Sequence, residues 1–222
     1  VLLPLPHLQT QKTIADFRTG DMALGGQGAP LVPVGDRLLF GKFESCLNLG
    51  GFANISFEQN MTRLAFDICP VNFVLNFLAQ KERLPFDKNG KLGKKGSVNE
   101  ELLNLLNNLS FYHQKPPKSL GKEWMDKHFF PIVDASNLSI ADKLRTSYEH
   151  IAYQISKASP KNGKMLVTGG GAFNTFLIER IKKHCQAEVV IPEKIIIDYK
   201  EALIFAFLGL LRHLSEINCY AS

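Results

Sequence analysis

Residues 16–33 read DFRTGDMALGGQGAPLVP. An acid-arginine-acid cluster (Asp16, Arg18, Asp21) leads into a glycine-dense run (Gly25, Gly26, Gly28) that stops at Pro30 and Pro33. Just upstream, Lys12, Thr13, Ile14 and Ala15 have the β-branched, apolar character of a strand that would end at Asp16. A carboxylate at a strand end, backed by bare glycine backbone, can meet a polar ligand without a side chain in the way. A surface loop with solvated charges is the plain alternative, and the rest of the chain weighs between the two.

Two further glycine clusters stand at strand ends. Gly50 and Gly51 make a tight hairpin-type turn between short strands expected at 42–49 and 52–58. Gly169, Gly170 and Gly171 follow the short apolar strand MLVT and precede a helix expected over 172–185. A strand, then glycines, then a helix N-terminus offers backbone N–H groups and partial positive charge to an anion. Neither a Walker lysine motif nor a full GxGxxG is present, which excludes a standard P-loop or dinucleotide fold. Three such clusters together with acidic residues point to a nucleotide site.

The remaining pattern sets the class. Residues 37–40 and 63–66 read as strands, and Pro70 is expected to open a helix with Val71, Val74, Leu75 and Leu78 on its face. Residues 85–97 read as a solvated, lysine-bearing loop, and 99–109 as a helix. Ser139 with Asp142 predicts the capped start of a long helix to about residue 158. The terminal helix, 199–215, is apolar nearly all round and is expected to be largely buried. Antiparallel strands come first and a strand-helix-strand-helix unit last, the order of a mixed α/β protein.

Composition narrows the function classes. The 222 residues are 45% hydrophobic and 21% charged, as in a soluble globular protein of one large or two small domains. No apolar run reaches membrane-spanning length, and residues 1–5 lack the basic flank of a signal peptide, so a cytoplasmic protein with no membrane partner is expected. The net charge of +5 owes much to Lys88, Lys91, Lys94 and Lys95, which are not interleaved with aromatics, so no nucleic-acid partner is expected. Cys46, Cys69, Cys185 and Cys219 are far apart, without a CxxC pair or histidines at ligand spacing; no metal-ligating residues are expected, and the thiols are reduced.

Five segments, in order, carry a resemblance. DFRTGDMALGGQGAPLVP resembles the signature of the bacterial anhydro-N-acetylmuramic acid kinases, and NLGGFANIS is similar to their NIGGIANIT. PKSLGKE is similar to PKSTGRE, TGGGAFN to GGGAxN, and DYKEALIFAFLG to DAxEAxAFAWL; together the matches run from about residue 12 to the C-terminus. The resemblance implies a ribonuclease-H-like, actin-type ATPase fold, a mixed sheet flanked by helices, from the acetate and sugar kinase, chaperone and actin superfamily. It makes residues 1–34 a remnant of the N-terminal lobe and catalytic loop. Residues 35–222 become the C-terminal nucleotide-binding domain, with a helical insertion.

The implied activity is that of a sugar kinase in cell-wall recycling. Water opens 1,6-anhydro-N-acetylmuramic acid while ATP, with Mg2+, phosphorylates it to N-acetylmuramic acid 6-phosphate. A non-catalytic homologue that binds the anhydrosugar or a nucleotide is the alternative, and a homodimer is left open. By the same resemblance Asp16 is the general base, which must reach the attacking water. Arg18 orients it or contacts sugar hydroxyls, a plain ion pair with Asp16 or Asp21 being the other reading. Glu201 lies near the sugar, or is an exposed first-turn glutamate favoured by the helix dipole. Gly50 and Gly51 let amides approach the β- and γ-phosphates; Gly169, Gly170 and Gly171 pack against the adenosine and α-phosphate side. Asn48, Asn54 and Asn174 are polar contacts, or equally turn and cap residues.

Two departures stand out. The family's opening hairpin, GTSxDGxD, has no counterpart, and with it roughly the first third of a family member; the irregular first 11 residues suggest truncation. The family's FDTGPGN loop reads FDICPVN here, with Ile68, Cys69 and Val71 in place of a threonine and two glycines. Those side chains are expected to obstruct close backbone contact or shift the loop. Asp67 is kept.

Overall fold

The structure, a computed structural model, describes residues 14–23 and 31–218. Lys12, Thr13, Gly25, Gly26, Gly28, Pro30 and Cys219 lie outside the described residues. Five strands form one sheet: β1 (Ser45–Leu49), β2 (Phe52–Gln59), β3 (Thr62–Pro70), β4 (Lys164–Thr168) and β5 (Glu188–Val190), in the order β3-β2-β1-β4-β5. β1, β2 and β3 are an antiparallel meander, joined by tight turns. β4 and β5 run parallel to β1 and need helical crossovers to reach their places. This is the mixed, helix-flanked α/β sheet that the strand and helix order predicts.

Alternation along the strands divides two cores between the faces of the sheet. Leu47, Leu49, Ile55 and Val167 enter the larger core with α3 (Asn72–Lys81), α7 (Ile140–Ala158) and α8 (Thr175–His184). Cys46 and Leu166 point the other way, into a smaller core with Leu31, Val34 of α2 (Pro33–Leu39), and Ile204 and Leu208 of α9 (Lys194–His213). The domain boundary expected at residue 34 therefore falls inside α2, on the second face. Between α3 and α7 lie α4 (Glu100–Asn107), then α5 (Lys122–Trp124) and α6 (Phe130–Ala135), the last two flanking a π-helical turn. Among the described residues no helix is long and apolar enough to cross a membrane.

α7 starts where its cap predicts, with the Asp142 N–H donating to Ser139 Oγ at 3.1 Å. Its stripe of Leu144, Tyr148, Ile151, Ala152 and Ile155 is fully buried. Elsewhere the structure corrects the expectations. Residues 14–16 are not a strand, and α1 (Phe17–Ala23) follows, its Phe17 ring seated on Phe205 at 6.0 Å. Residues 37–40 are not a strand either: Pro33 opens α2, and a short apolar run without a period suits helix and strand alike. β3 runs on to Pro70 instead of ending at Phe66, because an edge strand tolerates a residue without an N–H. α3 begins only at Asn72.

The lysine-bearing loop is also more ordered than its composition suggests. Asp87 is buried and accepts the N–H groups of Leu92 (2.8 Å) and Gly93 (2.9 Å), so the segment folds into two short 3-10 turns. α9 starts at Lys194, five residues earlier than expected, and is not largely buried. Ile197, Lys200, Ile204 and Leu208 are buried, and Ile196, Phe205 and Leu211 partly so, whereas Ile195, Tyr199, Leu203 and Leu210 are 47 to 62% exposed. The buried stripe includes a lysine, which hydrophobicity alone would have placed outside.

Candidate functional site

β1 and β4 are parallel neighbours, so their C-terminal ends lie side by side, with Asn48 opposite Thr168. Each strand then runs straight into a glycine cluster. Carboxyl ends of adjacent parallel strands, at a change in strand direction, form the usual ligand crevice of an open α/β sheet. A polar row crosses four strands at this level: Asp67, Asn54, Asn48 and Thr168 are successive lateral partners. Of these, Asn54 is exposed and Thr168 buried.

The glycines divide by what surrounds them. Gly169 has φ +81°, and a Cβ there would stand 2.5 Å from Asn48 Oδ1 and 2.8 Å from the Leu49 backbone. A Cβ on Gly171 would meet that of Leu49 at 2.7 Å. Both therefore let the turn after β4 pack against the end of β1. Gly170 is different: among the described residues nothing lies nearer its Cβ position than Asn72 Nδ2 at 3.7 Å, so its face of the turn is bare of them. At the other turn the Gly50 N–H donates to the Phe52 carbonyl (3.1 Å). The Gly50 and Gly51 carbonyls accept from Asn72 (3.2 Å) and Val71 (2.8 Å). The space a Cβ on Gly51 would need is filled by the Phe73 ring. A side chain at position 51 would have to displace the half-exposed Phe73 ring, and the Gly50 amide is already hydrogen-bonded inside the turn.

Asn48 joins the two turns, its side chain lying between the Cβ positions of Gly50 (Nδ2, 3.4 Å) and Gly169 (Oδ1, 2.5 Å). Asn72 adds a second tie by donating from Nδ2 to the Leu49 carbonyl at 3.0 Å. Asn174 takes the capping role that its sequence left open. Its Oδ1 accepts the Leu177 N–H (3.1 Å) at the start of α8, while its Nδ2 donates to Tyr148 Oη at 2.8 Å.

In the altered FDICPVN segment, Ile68, Cys69 and Val71 are buried in the larger core. Asp67 accepts the Leu120 N–H at 2.8 Å, and its own N–H donates to the Lys118 carbonyl, so it holds the PKSLGKE segment against β3. Burial raises the Asp67 pKa, which the Leu120 N–H partly offsets.

α9 connects this crevice to the segment that opens the chain. Near its start, Lys194 Nζ lies 5.3 Å from the Phe173 ring centroid, and the helix packs on β4 and the Gly170–Phe173 turn. Further along, Phe205 and Gly209 carry the ring of Phe17. Glu201 sits between, one turn before Phe205 and exposed, so it is a mid-helix residue rather than the first-turn glutamate considered above. Residues 194 and 205 are about 16 Å apart along such a helix.

Asp16 stands at the head of α1 with φ +59°, its carbonyl accepting the Gly20 N–H at 3.0 Å. The side chains of Asp16 and Arg18 are exposed, and among the described residues neither forms an ion pair. Nothing in the local sequence announced the buried ion pair between Asp36 of α2 and Lys200, the residue before Glu201. Among the described residues no group of three His, Cys, Asp or Glu could hold a metal ion. Gly170 is exposed and opens the 3-10 turn Gly170–Phe173 that separates β4 from α8.

Comparison with known proteins agrees in family. Among solved structures, the activator of 2-hydroxyisocaproyl-CoA dehydratase from Clostridium difficile, with bound ADPNP, is similar at a TM-score of 0.48 and 14% identity, over 85% of this chain and 68% of that one. The anhydro-N-acetylmuramic acid kinase of Vibrio vulnificus (strain CMCP6) is 36% identical over 219 residues, covering 92% of this chain and 59% of its own length. That of Sulfurovum sp. (strain NBC37-1) is 38% identical over 181 residues, 77% of this chain and 50% of its own. The chain thus spans between half and three-fifths of the length of these relatives. The profile of the anhydro-N-acetylmuramic acid kinase family matches residues 7–219, and the chain belongs to that family.

Proposed function

We propose that the full-length protein is an ATP-dependent kinase that hydrolytically opens 1,6-anhydro-N-acetylmuramic acid and phosphorylates it to N-acetylmuramic acid 6-phosphate. The observation that supports this most directly is the course of α9. It runs from the bare glycine turn, suited to a nucleotide, past Glu201 to the helix headed by Asp16.

In this reading Asp16 takes a proton from water as the water oxygen bonds to C1 of the sugar. The C1–O6 bond breaks, and O6 attacks the γ-phosphorus of ATP. The bond from that phosphorus to the bridging oxygen breaks, and ADP leaves. Such transfer rests on positioning and charge stabilisation rather than covalent catalysis by the protein. Gly170 and its neighbours seat the adenosine side, the turn at Gly50 and Gly51 flanks the phosphates, and Mg2+ accompanies them. Arg18 and Glu201 contact the sugar. Asn54, on the exposed side of the polar row, is available to the nucleotide, whereas the side chain of Asn174 is engaged by α8 and Tyr148. Residues 1–34 belong with the N-terminal lobe and the remainder with the nucleotide-binding domain, in a cytoplasmic enzyme of cell-wall recycling that requires no nucleic acid or membrane.

The test is turnover of the full-length protein with ATP and the anhydrosugar in ¹⁸O-labelled water. One phosphate on O6 and one heavy oxygen at C1 are expected in the rapidly quenched product. Absence of any phosphosugar overturns the proposal.

A further inference from the structure

The chain holds two Asn–Gly steps, Asn89–Gly90 and Asn162–Gly163, and the fold treats them oppositely. An asparagine followed by glycine exposes its side-chain amide to attack by the next backbone nitrogen, because glycine has no side chain to crowd the approach. At the first step that nitrogen is engaged. The Gly90 N–H donates to the Asp87 carbonyl at 3.1 Å, and Gly90 is buried against the Phe176 side chain. Asp87 is itself fixed by the N–H groups of Leu92 and Gly93.

At the second step the reacting groups are unengaged. Lys161, Asn162, Gly163 and Lys164 are all exposed where the chain passes from α7 into β4. Among the described residues neither the Gly163 N–H nor the Asn162 side chain has a hydrogen-bond partner. The groups that follow are held. The Gly163 carbonyl accepts the Glu188 N–H of β5 at 2.9 Å, and the Lys164 N–H donates to Glu44 Oε2 at 2.5 Å. Gly163 has φ +82°, and the Glu44 side chain fills the place where a Cβ would stand. The backbone after Asn162 is thus tied to β5 and to the residue before β1, while the amide and the nitrogen beside it can close on each other.

We infer that Asn162 is a site of spontaneous covalent modification, at which the fold leaves one of two Asn–Gly steps open to conversion into aspartate and isoaspartate. The Gly163 nitrogen bonds to Asn162 Cγ, and the side-chain nitrogen leaves as ammonia with the proton that the Gly163 N–H gives up. Water then opens the cyclic imide. Addition at Cγ gives aspartate; addition at the main-chain carbonyl carbon gives isoaspartate, whose backbone runs through the former side chain and is longer by one carbon. The only co-reactant is water. Either product adds a carboxylate to a surface depression already lined by Glu44 and Glu188. Isoaspartate also lengthens the chain directly before the bonds to Glu188 and Glu44 that set the start of β4. The site lies at the N-terminal ends of β1 and β4, whereas the glycine turns follow their C-terminal ends, so the inference stands apart from the kinase reading.

The test is ageing of the full-length protein at mildly alkaline pH and physiological temperature, followed by digestion with a glutamate-specific protease and tandem mass spectrometry. Asn162 should convert at least about tenfold faster than Asn89, the factor that opening a buried amide hydrogen bond supplies. In concentrated urea the two steps should react at equal rates, because the fold alone distinguishes them. The isoaspartate form, separated by chromatography, should unfold at lower urea than the Asn162→Asp variant, which carries the same charge on a backbone of normal length. An intact amide at Asn162, or equal rates at the two steps in the folded protein, would overturn the inference. A difference that persists in urea would overturn the role given to the fold, and an isoaspartate form as stable as Asn162→Asp would overturn its coupling to β4.

Discussion

Lys200 Nζ lies 2.6 Å from Asp36 Oδ1, with both side chains buried between α9 and α2. The contact is ionic rather than a well-aligned hydrogen bond, and the other Asp36 oxygen accepts from Ser56 Oγ at 2.5 Å. Arg63 then donates to Ser56 Oγ at 2.9 Å. Removing one partner leaves a buried charge uncompensated, so Lys200→Met should cost about 3–5 kcal/mol in urea unfolding. The double variant Asp36→Leu/Lys200→Met should recover most of that loss. Strict additivity of the single changes would show that the two groups are not coupled.

Asp16 is exposed and without an ion pair among the described residues, so Asp16→Asn should leave the melting temperature unchanged. Loss of a general base costs about 10²–10⁴-fold in turnover. The full-length variant should therefore bind ATP and anhydrosugar normally and release ADP that much more slowly. Near-normal ADP release would remove Asp16 as the base.

Two neighbouring glycines should respond in opposite ways. Gly169→Ala forces φ +81° on a residue with a Cβ and drives that atom to 2.5 Å from Asn48, so a loss of about 1–3 kcal/mol or more is expected. Gly170→Ala meets nothing nearer than 3.7 Å among the described residues and should change stability by less than about 0.5 kcal/mol. Its methyl group, however, would stand where the nucleotide approaches. Calorimetry should show weaker binding of an ATP analogue to Gly170→Ala despite normal melting. Unaltered affinity would place the nucleotide elsewhere.

His150 is fully buried, bonded through Nδ1 to Asn107 and through Nε2 to Tyr112, and burial pushes its pKa down to about 3. The folded protein thus keeps the imidazole neutral where the unfolded chain takes up a proton. The stability this residue contributes is present above pH 6.5 and is lost as pH falls towards 3. The slope in that window is about 1.4 kcal/mol per pH unit. Urea unfolding of wild type and His150→Gln should approach a difference of one proton in slope between about pH 4 and 6, with the difference vanishing towards neutral pH; parallel curves throughout would show that His150 titrates normally.

Asp87 gathers two amides and the Tyr148 hydroxyl, which in turn receives Asn174 at the start of α8. Asp87→Ala should release the lysine-bearing turns, and trypsin should then cut after Lys88, Lys91, Lys94 or Lys95 far faster than in wild type. Equal cleavage rates would mean that other contacts hold the segment.

Local chemistry was legible wherever it acts within a few residues. The cap at Ser139, the turn at Gly50 and Gly51, the strands on either side of it and the glycines after β4 follow from spacing and backbone freedom. Five ordered motifs were enough to assign the family. What the sequence could not decide is which faces meet. The short apolar run in α2 suits helix or strand equally until it packs on the sheet, and the apolar surface of α9 was misjudged because burial depends on what covers a helix. Asp36 and Lys200, Asp87 and Tyr148, Asn48 and Gly169 are distant along the chain. Their pairing is imposed by the cost of leaving charges and polar groups buried without partners, a cost that exists only once the sheet and helices have closed around them.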